Sequence, residues 1–123
     1  MSESKVQSLV RLVYARLGWR MFRNNRGAFK DATGRWIRYG LANDSKAFGD
    51  VVKSSDLIGW RRVVITPDMV GKVIAQFVST ECKPEDWTYN PLDEREVAQK
   101  KWIDLVNADG GYAAFISDPN TIT

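Results

Sequence analysis

Two stretches with helical spacing bracket a run of short, strand-like segments, and this order restricts the chain to folds that pack helices against a mixed sheet. Near the start, Val6, Leu9, Val10, Val13 and Leu17 recur at the helical period, and Gly18 closes the pattern. Ser4-Lys5-Val6-Gln7 has capping-box spacing and Ser2 is a second N-cap candidate, so this helix begins at Lys5 or at Glu3 and runs to Leu17. In the longer version Glu3 extends the inward-facing stripe, where an acid needs a reason. Near the end, Asp93 to Asp109 reads as a second helix. Asp93 and Glu96 stand at its start, Ala98, Trp102, Leu105 and Val106 form its buried face, and Gly110-Gly111 stops it.

Between and after these helices we expect short strands at Trp19 to Asn24, Arg35 to Tyr39, Asp56 to Trp60, Arg62 to Ile65 and Tyr112 to Ile116. Val73 to Lys83, rich in Val, Ile, Phe and Thr, is the longest strand candidate. Residues 25–34 form a hairpin-like excursion with Gly and Asp turn signals, residues 40–53 read as loop, and so does Pro84 to Pro91. The order is αβββ(β)βαβ, in outline αβββαβ: an α/β fold in the broad (α+β) sense, a mixed sheet flanked by helices, in a single domain over residues 1–123.

Composition removes whole classes of chemistry. The chain has no histidine and one cysteine, Cys82. That excludes triads built on an imidazole, zinc sites of the Cys/His type and an internal disulfide. Any metal site must use oxygen ligands. Charge is unevenly spread: residues 1–62 hold 13 Lys/Arg against 5 Asp/Glu, a balance of +8, and residues 63–123 hold 5 against 10, a balance of −5. A basic half of this size suggests a polyanion partner, most simply nucleic acid. No apolar run approaches the roughly 18 residues of a membrane span and no signal-peptide pattern opens the chain, so we expect a soluble, cytoplasmic protein with no membrane partner.

Three charged residues sit where a bland core strand would not put them. Side chains alternate along Thr80-Glu81-Cys82-Lys83, so Glu81 and Lys83 share a face and Cys82 takes the other, as a small buried apolar residue. Asp56 opens the apolar Leu57-Ile58 segment; if the two strands are neighbours, Asp56 and Glu81 converge beside Lys83. Two carboxylates and a backbone carbonyl make a hard-oxygen site suited to Mg²⁺ or Mn²⁺. Such an ion activates water and stabilises phosphate charge, and Lys83 would orient the water or neutralise developing charge. The same triple also occurs as an exposed, salt-bridged strand edge.

Ser54-Ser55-Asp56-Leu57-Ile58-Gly59, Glu81-Cys82-Lys83 and Ala98-Gln99-Lys100-Lys101-Trp102, preceded by a glutamate on the first helix, resemble the VRR-NUC branch of the PD-(D/E)XK nucleases, closest to its small stand-alone phage-type members. The resemblance runs from Glu3 to about Phe115; Ser55 stands where the superfamily's naming proline would be. It implies a restriction-endonuclease-like core. It also implies Glu3, Asp56, Glu81 and the Cys82 carbonyl as metal ligands, with Asp56, Glu81, Lys83 and Gln99 as the catalytic set. Gln99 lies on the apolar side of its helix, where a core-edge amide bonded to backbone is the plainer alternative. For Glu3 the alternative is a first-turn acid favoured by the helix dipole.

Arg23, Asn24, Asn25 and Arg26 read as a phosphate-contacting loop, or as an ordinary polar turn. Lys30, Arg35, Arg38 and Lys53 extend the basic surface. Phe29 and Trp36 suit hairpin packing, or stacking on unpaired bases. Trp87 and Tyr89 would pack a dimer interface or cap the core. The resulting expectation is a Mg²⁺- or Mn²⁺-dependent DNA endonuclease that hydrolyses phosphodiesters without a covalent intermediate. Its resemblance favours branched DNA such as a Holliday junction, and symmetric cutting argues for a homodimer. The alternatives are a non-catalytic nucleic-acid-binding module, or a nuclease of the same fold acting on linear or flap DNA.

Overall fold

The computed structural model describes residues 2–122. They form a mixed α/β fold in which helices alternate with antiparallel and parallel strands, with no closed barrel among the described residues. Contacts divide the chain into two compact units, Met1–Arg61 and Arg62–Thr123. No helix among the described residues is long and apolar enough to cross a membrane.

In the first unit, helix α1 spans Glu3–Arg16. Ser2 is its N-cap: the side chain accepts from the Lys5 amide, satisfying a donor that the first turn leaves unpaired, so the helix takes the longer of its two expected starts. The apolar stripe is not an inward face, because none of its residues is buried. Tyr14 stacks on Trp19 at 4.9 Å between ring centroids, tying the helix to the strand that follows. Strand β1 (Arg20–Arg23) pairs antiparallel with β4 (Leu57–Trp60), and β2 (Gly27–Lys30) pairs antiparallel with β3 (Trp36–Tyr39). The expected excursion is thus itself a strand, and the hairpin is β2–β3. Its turn is built on Asp31. One carboxylate oxygen accepts from the Thr33 hydroxyl at 2.6 Å and from the Thr33 and Arg35 amides at 2.9 Å each. Gly34 supplies the positive φ of 85° that a side chain would oppose.

Residues 40–53 are not all loop, because Lys46–Val51 forms a short helix, α2. Ser45 caps it by accepting from the Phe48 amide. Composition hides the helix, since Gly49 and Asp50 read as turn residues; Gly49 is needed because a Cβ there would run into Asn43 and the Arg26 and Arg38 guanidiniums. Asn43 is 2% exposed and organises this region. Its amide nitrogen donates to the Gly27 and Tyr39 carbonyls, and its amide oxygen accepts from Arg26 and Arg38 at 3.0 and 2.7 Å.

In the second unit, β5 (Val78–Cys82) pairs parallel with β6 (Tyr112–Ile116), and α3 (Glu94–Ala108) packs on them. Asp93 caps α3 by accepting from the Arg95 and Glu96 amides. The buried residues of α3 are Glu96, Ile103 and Val106, so the packing face is rotated from the expected one: Ala98 is exposed, and Trp102 and Leu105 are half-buried. Asn107 clamps helix to strand, donating to the Ala113 carbonyl and accepting from its amide. The expected long strand over 73–83 shrinks to Val78–Cys82, because β6 offers five residues to pair with. Residues 62–65 are not a strand either, since β4 ends at Trp60 opposite the first residue of β1. Among the described residues the strands form three two-stranded ladders, with β4 on β1 within the first unit and β5 on β6 within the second.

Replacing Asn43 with Ala leaves two guanidiniums and two carbonyls without their partner. We expect a loss of about 2–4 kcal/mol in urea denaturation. Asp31 gives a pH-dependent check. The Thr33 hydroxyl and then the Arg35 amide hold its carboxyl below the ordinary 3.8. Its stabilisation is therefore present above the unfolded value and lost as pH falls through the folded one. Asp31→Asn should flatten the fall in melting temperature between about pH 4 and pH 2.

Candidate functional site

Alternation along β5 sends Ser79 and Glu81 toward α3, while Val78, Thr80 and Cys82 face away and are exposed. Cys82 is therefore an exposed free thiol rather than a buried apolar residue, because it points to the side of β5 away from α3. Lys83 follows the strand and stays in its ladder through its amide, which donates to the Ile116 carbonyl.

On the covered side, Gln99 of α3 lies between the strand's two charges. Its amide nitrogen donates to Glu81 Oε1 at 2.9 Å, and its amide oxygen accepts from Lys83 Nζ at 2.8 Å. Carboxylate and ammonium are thus joined through an amide rather than in direct contact. Glu81 Oε2 has no protein partner among the described residues. The Lys83 ammonium is also flanked by the Trp87 and Phe115 rings, at 5.7 and 5.6 Å from their centroids.

The loop that supplies Trp87 is pinned. Trp87 stacks on Phe115 at 4.8 Å, Tyr89 packs on both rings, and Trp87 Nε1 donates to the buried Glu96 carboxylate at 2.5 Å. Trp87 and Tyr89 thus cap the core of this unit. Beside Glu81 and Gln99 opens a cavity of about 400 Å³, lined also by Ser79, Arg95, Ala98, Trp102 and Ile103. Trp102 Nε1 donates to Ser79 Oγ at 2.9 Å across its floor. Sequence reasoning passed over Ser79 and Arg95, although spacing points to both. Ser79 stands two before Glu81 on the strand, and Arg95 one turn before Gln99 on the helix.

The remaining site candidates belong to the first unit. Asp56 immediately precedes β4, is exposed, and holds its place through its carbonyl, which accepts from the Asn24 amide at 2.8 Å. Asn24 also donates through its side chain to Ser54 Oγ and the Ser55 carbonyl, so it fixes the backbone leading into Asp56. Glu3 is an exposed first-turn acid of α1. Within either unit, among the described residues, no group of three or more Asp, Glu or Cys side chains gathers to hold an ion.

The basic residues divide by what holds them. Arg26 and Arg38 are half-buried on Asn43, and Lys53 donates to the Gly49 carbonyl. Arg23 and Asn25 are exposed. Lys30 lies over Trp36, and Arg35 stands 4.0 Å from Asp31, both with open surroundings. The family, curated-protein and solved-structure comparisons find nothing that matches this chain.

Trp87→Phe keeps the ring on Phe115 but removes the donor to buried Glu96. We expect it to cost about 1.5–3 kcal/mol in urea denaturation, and to cost much less in a Glu96→Leu background, where no carboxylate is left unpaired.

Proposed function

We propose that this chain is a Mg²⁺- or Mn²⁺-dependent endonuclease acting on DNA, with Glu81, Gln99 and Lys83 at its chemical centre. One observation carries the reading: the amide of Gln99 holds a carboxylate and an ammonium side by side, at the rim of a cavity, with open valences on both. A Lys ammonium has three donors and Gln99 takes one, so two remain for phosphate oxygens. Glu81 Oε2 is available to a cation. The donor set suits a hard divalent ion, because every candidate ligand is an oxygen. Glu81 by itself is too few ligands, and Asp56, Glu3 and the Cys82 carbonyl enter the set on the sequence pattern and the VRR-NUC resemblance alone.

A bound Mg²⁺ or Mn²⁺ would supply Lewis acidity at the scissile phosphate. The chain's own groups then have separable roles. Lys83 neutralises charge as it builds on phosphate oxygens. Gln99 fixes the distance between Lys83 and Glu81 so that they do not collapse into an ion pair. Arg95, on the cavity wall, offers a fork suited to a neighbouring phosphate. The balance of +8 over residues 1–62 favours DNA as the polyanion. Branched DNA cut by a homodimer is the favoured form of this reading, because two symmetric incisions need two copies of the site.

The test is incubation of labelled junction, flap and linear DNA with the protein and Mg²⁺ or Mn²⁺. Lys83→Ala should slow cleavage by roughly 10²–10³. Glu81→Ala and Asp56→Ala should abolish measurable cutting while salt-dependent binding persists. Absence of cleavage by the unaltered protein, or equal cleavage by Glu81→Ala, sinks the nuclease reading. In that case the reading that remains is a nucleic-acid-binding module without catalysis.

A further inference from the structure

The β2–β3 hairpin carries exposed rings on both of its faces. Register places Phe29 opposite Ile37 and Gly27 opposite Tyr39 on one face, and Lys30 opposite Trp36 on the other. Phe29 is 52% exposed, Tyr39 46% and Trp36 61%. A two-stranded ribbon gains stability by covering one face, yet here both faces keep aromatic surface open. The hairpin is instead held at its base: Asn43 binds the Gly27 and Tyr39 carbonyls, and Arg38 donates to the Asn43 carbonyl. At the other end the Asp31 turn sets the tip rigidly. The rings are therefore presented on a braced element.

The charge around them is one-sided. From Arg23 to Tyr39 the chain holds five Lys/Arg and one acid, Asp31. Lys30 Nζ lies over the Trp36 ring, 5.4 Å from its centroid, so a cation sits against the ring while Trp36 stays largely exposed. Exposed rings interleaved with cations match a single-stranded nucleic acid, whose bases offer open faces and whose phosphates run alongside. A duplex hides its base faces in the stack, and an acidic peptide offers no planar partner for the rings.

We propose that the β2–β3 hairpin is a stacking platform for unpaired bases, with Trp36 on one face and Phe29 with Tyr39 on the other, and with Lys30 meeting the adjoining phosphate. The proposal takes its substrate class from the reading of the chain as a DNA-acting protein, and it deepens that reading: the hairpin would select DNA in which bases have come apart.

The experiment measures binding of the full chain to a labelled oligothymidylate, to a duplex of equal length and to heparin, in EDTA so that nothing is cut. The unaltered protein should prefer oligothymidylate to heparin. Phe29→Leu and Trp36→Leu keep apolar bulk at exposed positions, and each should weaken oligothymidylate binding by about tenfold while leaving heparin binding and the melting temperature unchanged. Trp36→Phe, which keeps a ring, should retain most of the affinity. Oligothymidylate binding equal to wild type in both leucine variants overturns the proposal, as does binding to heparin without binding to oligothymidylate. The two readings fail separately. Ring-dependent binding without Mg²⁺-dependent cleavage sinks the nuclease alone, and cleavage with unaltered binding by the leucine variants sinks the platform alone.

Discussion

Asn43 is the interaction on which the first unit depends, because one amide binds both strands at the base of the β2–β3 ladder and two guanidiniums at once. Short strands need such a device. Four-residue ladders bury little, and the buried apolar residues among those described, Ile103, Val106 and Ala113, all lie in the second unit. Where apolar burial is scarce, a polar hub substitutes for it, and its members must be complementary rather than merely hydrophobic, even though Arg26 Nε is left without a partner. The hub also changes what the basic residues can do. Arg26 and Arg38 are bound inward, so along Arg23 to Tyr39 the exposed cations are Arg23, Lys30 and Arg35, the last standing near Asp31. Asn24 works in the same way one step along, binding Ser54 and Ser55 and thereby fixing the approach to Asp56.

The second unit uses a more ordinary core, and its candidate site follows from that core's geometry. The parallel register sets Glu81 against Phe115 and Ser79 against Ala113, which turns those side chains toward α3. Asn107 fixes α3 against β6. Gly111 lets the chain turn beside Val106, where a Cβ would collide with the valine's Cγ1. With helix and strand locked, Gln99 meets both Glu81 and Lys83. A direct ion pair would have consumed the lysine and carboxylate in each other. An intervening amide keeps them apart, oriented and still able to bind something else.

Much of this is legible in the residues. Asp93 as a cap, Gly110 as a stop and the Tyr112–Ile116 strand can be read locally, because caps and stops depend on residues within a turn of themselves. The common side of Glu81 and Lys83 follows from strand alternation, and Gln99 from helical spacing. What is illegible depends on distant partners. Val63, Val64 and Ile65 have every propensity for strand but pair with no strand among the described residues, and the segment from Val73 fails as strand until β6 begins opposite Val78. Helix α2 is hidden because Gly49 answers to Asn43 and two arginines rather than to helix propensity. Cys82 looks like core because cysteines usually are buried, but burial belongs to whichever face α3 covers.

The acidity of the second half also changes meaning once each acid is located. A balance of −5 over residues 63–123 disfavours a phosphate backbone on average, and where each carboxylate is held decides where that acts. Several are occupied. Asp93 caps α3, Asp104 pairs with Lys100 at 2.7 Å, Asp109 stands 3.6 Å from Arg62, and Glu96 is held by Trp87. Glu81 faces the cavity, with Arg95 on the same wall and Lys83 joined to it through Gln99. Under the proposed function, a phosphate at that rim would meet Lys83 and Arg95 beside the one carboxylate that lines the cavity.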